Sequence, residues 1–243
     1  MADATPPEPT CASCGVVQAK LGTTSCYAGT GAGAPPRPGH CPTSTQEEIV
    51  RGALDDLRGD GADAKLARVA ARVEGLGYDR APDGVRARWT RVEDTVAFAK
   101  LMGYRRIGVA TCVGLLQETS QLCEILEAQG LEPISVCCKC GSTDKGELGV
   151  PDGDKIRPGR FEPACNPIAQ ARICNALGTD LNVMVGLCVG HDALFNKHSD
   201  APVTTLIAKD RVTGHNPAAP LYGRHYYRRL RSPLPLAGGP KET

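Results

Sequence analysis

The sequence has 243 residues, with 28 basic side chains, 27 acidic side chains and 12 cysteines. The balanced charge and the lack of an uninterrupted apolar run of membrane length exclude an obvious nucleic-acid or membrane partner. The chain begins Met-Ala-Asp-Ala-Thr-Pro-Pro, without the basic and apolar regions of a secretory signal, so we expect a cytoplasmic location. Thiols stay reduced in that compartment, and the cysteine content therefore favours metal ligation or thiol chemistry over disulfides.

The first part of the chain carries four cysteines but few large apolar side chains, so it cannot form a hydrophobic core alone. Cys11 and Cys14 are separated by two residues, which lets both thiolates reach one metal ion from a single turn. Cys26 and Cys41 can complete a four-thiolate set, with His40 as a substitute ligand. We predict that this set binds zinc, whose binding would supply folding free energy. An iron–sulfur site and free or disulfide-linked thiols are the alternatives.

Three domains of different composition are predicted along the chain. Residues 1–44 form the cysteine-rich metal-binding segment, and residues 45–231 form an α/β domain. Within that domain, residues 45–103 are predicted to be a helical lead-in, which opens with a capping box at Thr45-Gln-Glu-Glu48. Residues 104–231 are predicted to form a parallel sheet, and residues 232–243 a disordered tail.

Strand-like apolar runs in the second half of the domain end in cysteine three times. These runs are Arg106–Cys112, Glu132–Cys138 and Leu181–Cys188, and a fourth strand is predicted at Val203–Lys209. Helix-like stretches separate the runs, which is typical of parallel sheets. We therefore predict an α/β fold with a Rossmann-like or flavodoxin-like three-layer parallel sheet of about four strands. Ligands of such sheets bind beyond the carboxyl ends of the strands, where these cysteines would converge.

Five cysteines are candidate ligands in that crevice: Cys112, Cys137, Cys138, Cys165 and Cys188. Cys112 and Cys165 each precede a helix-like stretch, and a helix amino terminus favours a thiolate. Cys137 and Cys138 are neighbours on a strand and would point to opposite faces, so one of the two is the expected ligand. Thiolates gathered from distant segments are typical of metal and iron–sulfur sites. The alternative is that these cysteines are small buried hydrophobic residues.

Other polar residues near these cysteines are candidate catalytic groups. Lys139 would stabilise negative charge, and His191 follows Cys188 by three residues, which suits joint ligation or a thiolate beside a proton carrier. Asp192 either belongs to this group or caps the short helix that follows. Residues 209–217, after the last strand, can supply anion-binding or proton-transfer groups or form a hydrogen-bonded loop. Three cysteines are assigned no role in the site: Cys123, Cys140 and Cys174.

The chain resembles a prokaryotic family known as domain of unknown function 1847. The resemblance spans nearly the whole sequence and rests on Cys11-x-x-Cys14, Cys41-Pro42, Ala110-Thr-Cys112-Val-Gly-Leu115, Ser135-Val-Cys-Cys-Lys139, Glu162-Pro-Ala-Cys-Asn-Pro167, Gly186-Leu-Cys-Val-Gly-His-Asp192, Ala201-Pro-Val-Thr-Thr205 and Ala208-Lys-Asp-Arg-Val212. The resemblance implies zinc binding by the amino-terminal cysteines and names no reaction.

These features predict a cytoplasmic metalloprotein with a structural zinc site and a second cysteine site at the strand ends. The second site is predicted to hold an iron–sulfur cluster for electron transfer or reductive chemistry, as in an iron–sulfur oxidoreductase. The expected partner is a small molecule or an electron-transfer protein. One alternative is a metal-free thiol enzyme with Cys188 as nucleophile and His191 as base. Another is a non-catalytic zinc protein that acts as a sensor or adaptor.

Overall fold

The computed structural model of the chain describes residues 8–9, 11–14 and 38–234. The chain divides between Ala71 and Arg72 into two compact units. Cys26 of the predicted zinc set lies outside the described residues, as does the part of the predicted tail beyond Leu234.

Short helices make up the described part of the first unit. A 3-10 turn at Cys11–Ser13 is followed by α1 (Pro42–Thr45) and α2 (Glu47–Arg58). The predicted capping box at Thr45 is wrong, because proline starts a helix at Pro42 and leaves Thr45 inside it. The Thr45 hydroxyl donates back to the Cys41 carbonyl at 3.1 Å, and α2 begins without a side-chain cap.

The lead-in to the sheet is not wholly helical. Helix α3 (Ala62–Leu76) is followed by an antiparallel hairpin of β1 (Tyr78–Ala81) and β2 (Gly84–Ala87), which the prediction of a helical segment missed. The turn sequence Pro-Asp-Gly signals such a hairpin, and its glycine adopts a φ of 141°, which side chains other than glycine rarely allow. Helix α4 (Arg91–Met102) then follows, with a capping box between Thr90 and Glu93.

A four-stranded parallel sheet forms the centre of the second unit, as predicted. Its strands are β3 (Arg106–Thr111), β4 (Glu132–Cys137), β5 (Leu181–Val185) and β6 (Val203–Ile207), in the spatial order β4-β3-β5-β6. All neighbouring strands are parallel. Strands β5 and β6 end earlier than predicted, and Gly186 ends β5 with a φ of 69°.

Helices connect the strands and cover the sheet. Helices α5 (Leu116–Ala128), α6 (Pro167–Ala176) and α7 (His191–His198) lie between successive strands, and α8 (Ala219–Tyr222) and α9 (Arg224–Leu230) follow the sheet. Alternate strand residues belong to different buried clusters, as expected for a sheet covered on both faces. One cluster contains Leu122 and Leu126 of α5, and the other contains Ala171 of α6 and Phe195 of α7. Within the described ranges, no helix has both the length and the apolar character needed to cross a membrane.

Candidate functional site

Cys112 and Cys138 are brought together by the register of β3 and β4. Each residue directly follows its strand, and the two strands are neighbours in the sheet. The Cys112 N–H donates to the Val185 carbonyl at 3.0 Å, and the Cys138 N–H donates to the Thr111 carbonyl at 2.8 Å. The sheet hydrogen bonding therefore continues one residue beyond the strands and fixes both cysteine backbones. Both side chains are buried.

Cys165 joins this pair from the turn before α6. Its neighbour Asn166 caps the helix, since the Asn166 Oδ1 accepts from the Ala169 N–H at 2.9 Å. The Asn166 N–H donates to the Cys138 carbonyl at 2.7 Å, which ties this turn to the end of β4. The Cys165 Sγ consequently lies 3.8 Å from the Cys138 Sγ. Cys112, Cys138 and Cys165, the thiol cluster, thus meet from three separate segments.

Contacts between the three thiols control the ionisation of the thiol cluster. A hydrogen bond from the Cys138 thiol lowers the pKa of Cys112, although burial opposes the effect. Contact with Cys138 also lowers the pKa of Cys165. The contacts with Cys112 and Cys165, together with burial, raise the pKa of Cys138. The arrangement therefore favours the thiolate form at Cys112 and Cys165 over the thiolate form at Cys138.

Lysines add to the stability of both thiolates. The Lys209 Nζ lies 3.3 Å from the Cys112 Sγ, and the Lys139 Nζ lies 3.3 Å from the Cys165 Sγ. Each lysine further lowers the pKa of its cysteine, through a hydrogen bond and through its charge. Lys139, a candidate catalytic group, therefore lies beside one of the candidate thiolates.

Cys188 has a different partner from the thiol cluster. It follows the end of β5 by three residues, and its Sγ accepts from the Arg211 Nη2 at 2.9 Å. Among the hydrogen bonds of the described residues, none joins the Cys188 thiol to the His191 ring. The pairing of Cys188 with His191 as nucleophile and base has no hydrogen bond to support it.

His191 is the first residue of α7, and its ring contains an unusual nitrogen. Its Nδ1 is buried and has no hydrogen-bond partner among the described residues. His191 also lies near enough to Cys165 for its charge to contribute, after the larger effects of Cys138 and Lys139, to the lowered pKa of that cysteine. Asp192 accepts from the N–H groups of Gly190 and Ala193 at 2.9 and 2.7 Å, so it stabilises the start of α7.

Cys137 and Cys140 lie at the two ends of a tight turn that follows β4. The Cys140 N–H donates to the Cys137 carbonyl at 3.1 Å. Burial raises the pKa of Cys140, and the charge of Cys137 raises it further. Because Cys138 bonds to both other thiols of the cluster, it is a better candidate ligand than Cys137. The two-residue spacing of Cys137 and Cys140 was the signal that could have drawn attention to Cys140.

Gln170 is a buried residue of the site that sequence reasoning missed. Its side chain is fully buried, and its Nε2 donates to the carbonyls of Thr111 and Val136 at 3.1 and 2.6 Å. These carbonyls stand at the ends of β3 and β4, next to the segments that carry Cys112 and Cys138. The Gln170 Oε1 is buried without a partner among the described residues. The only signal in the sequence was a polar side chain on the buried face of a helix.

The amino-terminal candidates form part of the predicted set. The Cys14 N–H donates to the Cys11 carbonyl at 3.1 Å, which gives the tight turn that a two-residue spacing favours. Cys41 lies at the N-cap of α1, and the adjacent His40 has a buried Nε2 without a partner in the described part of the chain. Across the described residues, no three His, Cys, Asp or Glu side chains are already grouped as a metal site. No disulfide joins cysteines in these ranges.

The thiol cluster lies within the part of the chain that matches a known protein family. The model of the family described as protein of unknown function (DUF1847) matches residues 41–206. The chain is also 46% identical over 185 residues to the uncharacterized protein MJ0455 of Methanocaldococcus jannaschii, and this match covers 76% of the chain and 89% of the relative. The chain therefore belongs to the DUF1847 family of proteins of unknown function.

Proposed function

We propose that the protein is a thiolate metalloprotein whose thiol cluster holds an iron–sulfur centre for electron transfer or reductive chemistry. The observation that carries the proposal is that three cysteines from separate segments meet at the strand ends, with the Cys138 and Cys165 sulfurs 3.8 Å apart. Two sulfurs bound to the same tetrahedral metal ion through bonds of about 2.3 Å lie about 3.8 Å apart, so this distance fits Cys138 and Cys165 as ligands of one iron atom of the centre. A disulfide would instead need a sulfur–sulfur distance of about 2.05 Å.

The chemistry of the donors supports a thiophilic metal. Thiolates are the form in which cysteine binds a metal, and the pKa values of Cys112 and Cys165 are already lowered. Lys139 would offset part of the negative charge of the bound thiolates. Because no three described donors surround one point in their present positions, at least one side chain must rotate when the metal binds.

The fourth coordination position is open to two residues or to a substrate. A buried nitrogen without a hydrogen-bond partner lowers the free energy of unfolding by about 1–3 kcal/mol. A bond from the His191 Nδ1 to a metal or to a proton donor would remove this penalty. Cys188 is the other protein candidate, but its sulfur is bonded to Arg211. We propose His191 as a proton carrier beside the centre, with an open position for substrate, as catalytic metal sites require.

The amino-terminal cysteines are proposed to bind zinc in a structural role. Cys11 and Cys14 lie on one tight turn, and the His40 Nε2 is a buried nitrogen without a partner in the described residues. Cys26 and Cys41 would complete the set. Zinc binding would then supply folding free energy to a segment that has few large apolar side chains.

The wider expectations belong to the same proposal. Buried clusters on the two faces of the sheet support a Rossmann-like three-layer arrangement. The lack of disulfides in the described ranges is compatible with the reducing cytoplasm. The proposed partner is a small molecule or an electron-transfer protein.

A metal-free thiol enzyme is the second candidate. The lowered pKa of Cys165, caused chiefly by Cys138 and then by Lys139, favours this candidate because a thiolate is the nucleophilic form of cysteine. Cys165 would then replace Cys188 as the nucleophile.

Elemental analysis of protein purified without oxygen tests the proposal. We expect iron, inorganic sulfide and broad visible absorption, together with zinc. Colourless protein that contains zinc alone, from iron-replete cells, would contradict the iron–sulfur centre and leave the zinc adaptor. Protein without any metal would leave the thiol enzyme.

A further inference from the structure

The segment after β6 presents two cations to the cysteines of the crevice. The Lys209 Nζ contacts the Cys112 Sγ at 3.3 Å, and the Arg211 Nη2 contacts the Cys188 Sγ at 2.9 Å. The residue between them, Asp210, faces into its own turn. Its Oδ1 accepts from the N–H groups of Val212 and Thr213 at 2.8 and 3.0 Å, and these bonds help to lower its pKa.

This turn is held by its own hydrogen bonds. The His215 N–H donates to the Asp210 carbonyl at 2.8 Å, and the Asp210 N–H donates to the His215 Nδ1 at 3.2 Å. Thr213 adds a bond from its hydroxyl to the Asn216 carbonyl at 2.7 Å. The Asp210 carboxylate is therefore hydrogen-bonded within the turn. These bonds also fix the backbone that carries Lys209 and Arg211.

Two glycines lie beside the Lys209 side chain. A Cβ at Gly114 would lie 3.5 Å from the Lys209 Nζ, and a Cβ at Gly186 would lie 3.7 Å from its Cδ, which are ordinary van der Waals distances. A Cβ at Gly186 would also lie 2.0 Å from the Leu115 Cδ1, so the Leu115 side chain would have to move. The Lys209 side chain therefore runs past the backbone of both glycines to reach Cys112.

Neither Lys209 nor Arg211 forms an ion pair with a carboxylate of the described residues. Once the thiolates share their negative charge with a bound metal, these two cations would keep a positive field over the crevice. A guanidinium fork and an ammonium group together recognise the oxygens of carboxylates and phosphates.

We propose that Lys209 and Arg211 form an anion-binding subsite beside the thiol cluster, and that the small-molecule ligand carries a carboxylate or phosphate group. The inference rests on the proposed function in taking this crevice as the ligand site. The subsite itself consists of protein groups that are present with or without a metal.

The charge of an alkylating reagent tests the subsite in the full-length protein. Iodoacetate and iodoacetamide attack the same thiolate, but only iodoacetate is an anion. The ratio of their rates at Cys188, followed by peptide mass mapping, therefore cancels any change in the thiol pKa. We expect the double variant Lys209→Gln, Arg211→Gln to lower the iodoacetate-to-iodoacetamide ratio by about 3- to 10-fold. Added salt should lower the ratio in the parent, because it screens the cations.

A matched control removes a cation far from the crevice. Lys100 lies near the end of α4, which leads into the amino-terminal end of β3, whereas the thiol cluster lies beyond the carboxyl ends of the strands. The Lys100 Nζ contacts the Gln129 Oε1 at 3.0 Å. Lys100→Gln should leave the ratio unchanged, and inorganic phosphate or malonate should slow iodoacetate in the parent alone. Equal ratios in the parent and the double variant would overturn the subsite. Because the ratio is measured on metal-loaded and on chelated protein, this failure is distinct from a lack of iron.

Discussion

The two cysteine regions of this chain differ in what holds them in place. In the first unit, helix α2 has no buried residue, and its Ile49 is 69% exposed. In the second unit, Cys112 follows β3, whose residues Ile107 and Val109 are fully buried, and Cys138 follows the neighbouring strand β4. A segment with little core needs its metal in order to fold, whereas a sheet positions ligands before any metal arrives. The two regions should therefore respond oppositely to the loss of a ligand.

The largest expected effect is on the folding of the amino-terminal segment. In the variant Cys11→Ser, Cys14→Ser, we expect the residues before Thr45 to be cleaved rapidly by protease, because zinc no longer supplies folding free energy. The sheet unit should keep its unfolding midpoint and its own metal. Limited proteolysis with mass mapping measures the effect, and Cys123→Ser is the control. Equal protease resistance in variant and parent would remove the structural role of this site.

Within the sheet unit, pH should separate a cysteine of the cluster from a packing cysteine. The pKa of Cys165 is lowered chiefly by Cys138, so its thiolate persists below the ordinary thiol range and is lost only as pH falls through the lowered value. Burial raises the pKa of Cys174 to about 11. In chelated protein at pH 7, we expect iodoacetamide to modify Cys165 more than about 100-fold faster than Cys174.

Lys139 provides a variant that sharpens the pH prediction. Lys139→Met should move the pH at which Cys165 loses reactivity upwards, because the ammonium group no longer stabilises the thiolate. Parallel pH curves for Cys165 and Cys174 in the parent would refute the ionisation pattern of the cluster.

A smaller effect is expected from the buried amide behind the cluster. Gln170→Leu removes the donor to the Thr111 and Val136 carbonyls and should lower the free energy of unfolding by about 1–3 kcal/mol. The iron content should fall as the strand ends loosen, while zinc at the first unit stays. Urea denaturation and elemental analysis measure both quantities, with the exposed Gln121→Leu as control. Unchanged stability would show that these bonds do not fix the strand ends.

The smallest change in stability is expected at His191. If this residue is a proton carrier, His191→Ala should leave the metal in place and shift the unfolding free energy by no more than about 1 kcal/mol. Turnover of a reductive reaction would fall by about 10²–10⁴-fold. Metal loss comparable to that in Cys138→Ser would make His191 a ligand instead, and the exposed His225→Ala is the control.

The convergence of the strand-end cysteines was predictable, because it follows from a parallel sheet and from where each apolar run ends. Periodicity placed Cys112 and Cys138 at one edge, and the structure brings them together. The position of Cys165 was predictable from the Cys-Asn-Pro sequence before α6, since proline favours the first turn of a helix. The position of the Cys188 side chain was not predictable, because it depends on a contact with Arg211 that no local pattern indicates.

Other features depend on contacts that no local pattern encodes. The partners of Lys209 and Gln170 lie far away in the sequence, at Cys112 and at the strand ends. The β1–β2 hairpin was not predicted, although its turn sequence is present, because helical sequence patterns lie on both sides of it. The choice between Cys137 and Cys138 required the exact residue at which β4 ends.

The metal and sulfide content of Cys138→Ser, compared with Cys123→Ser and the parent after purification without oxygen, tests the central claim most directly. Cys138 contacts both other thiols of the cluster, whereas Cys123 lies on α5 outside it. We expect Cys138→Ser to lose iron and sulfide but to keep zinc, while Cys123→Ser matches the parent. Equal iron and sulfide in all three proteins would contradict a metal centre at the thiol cluster.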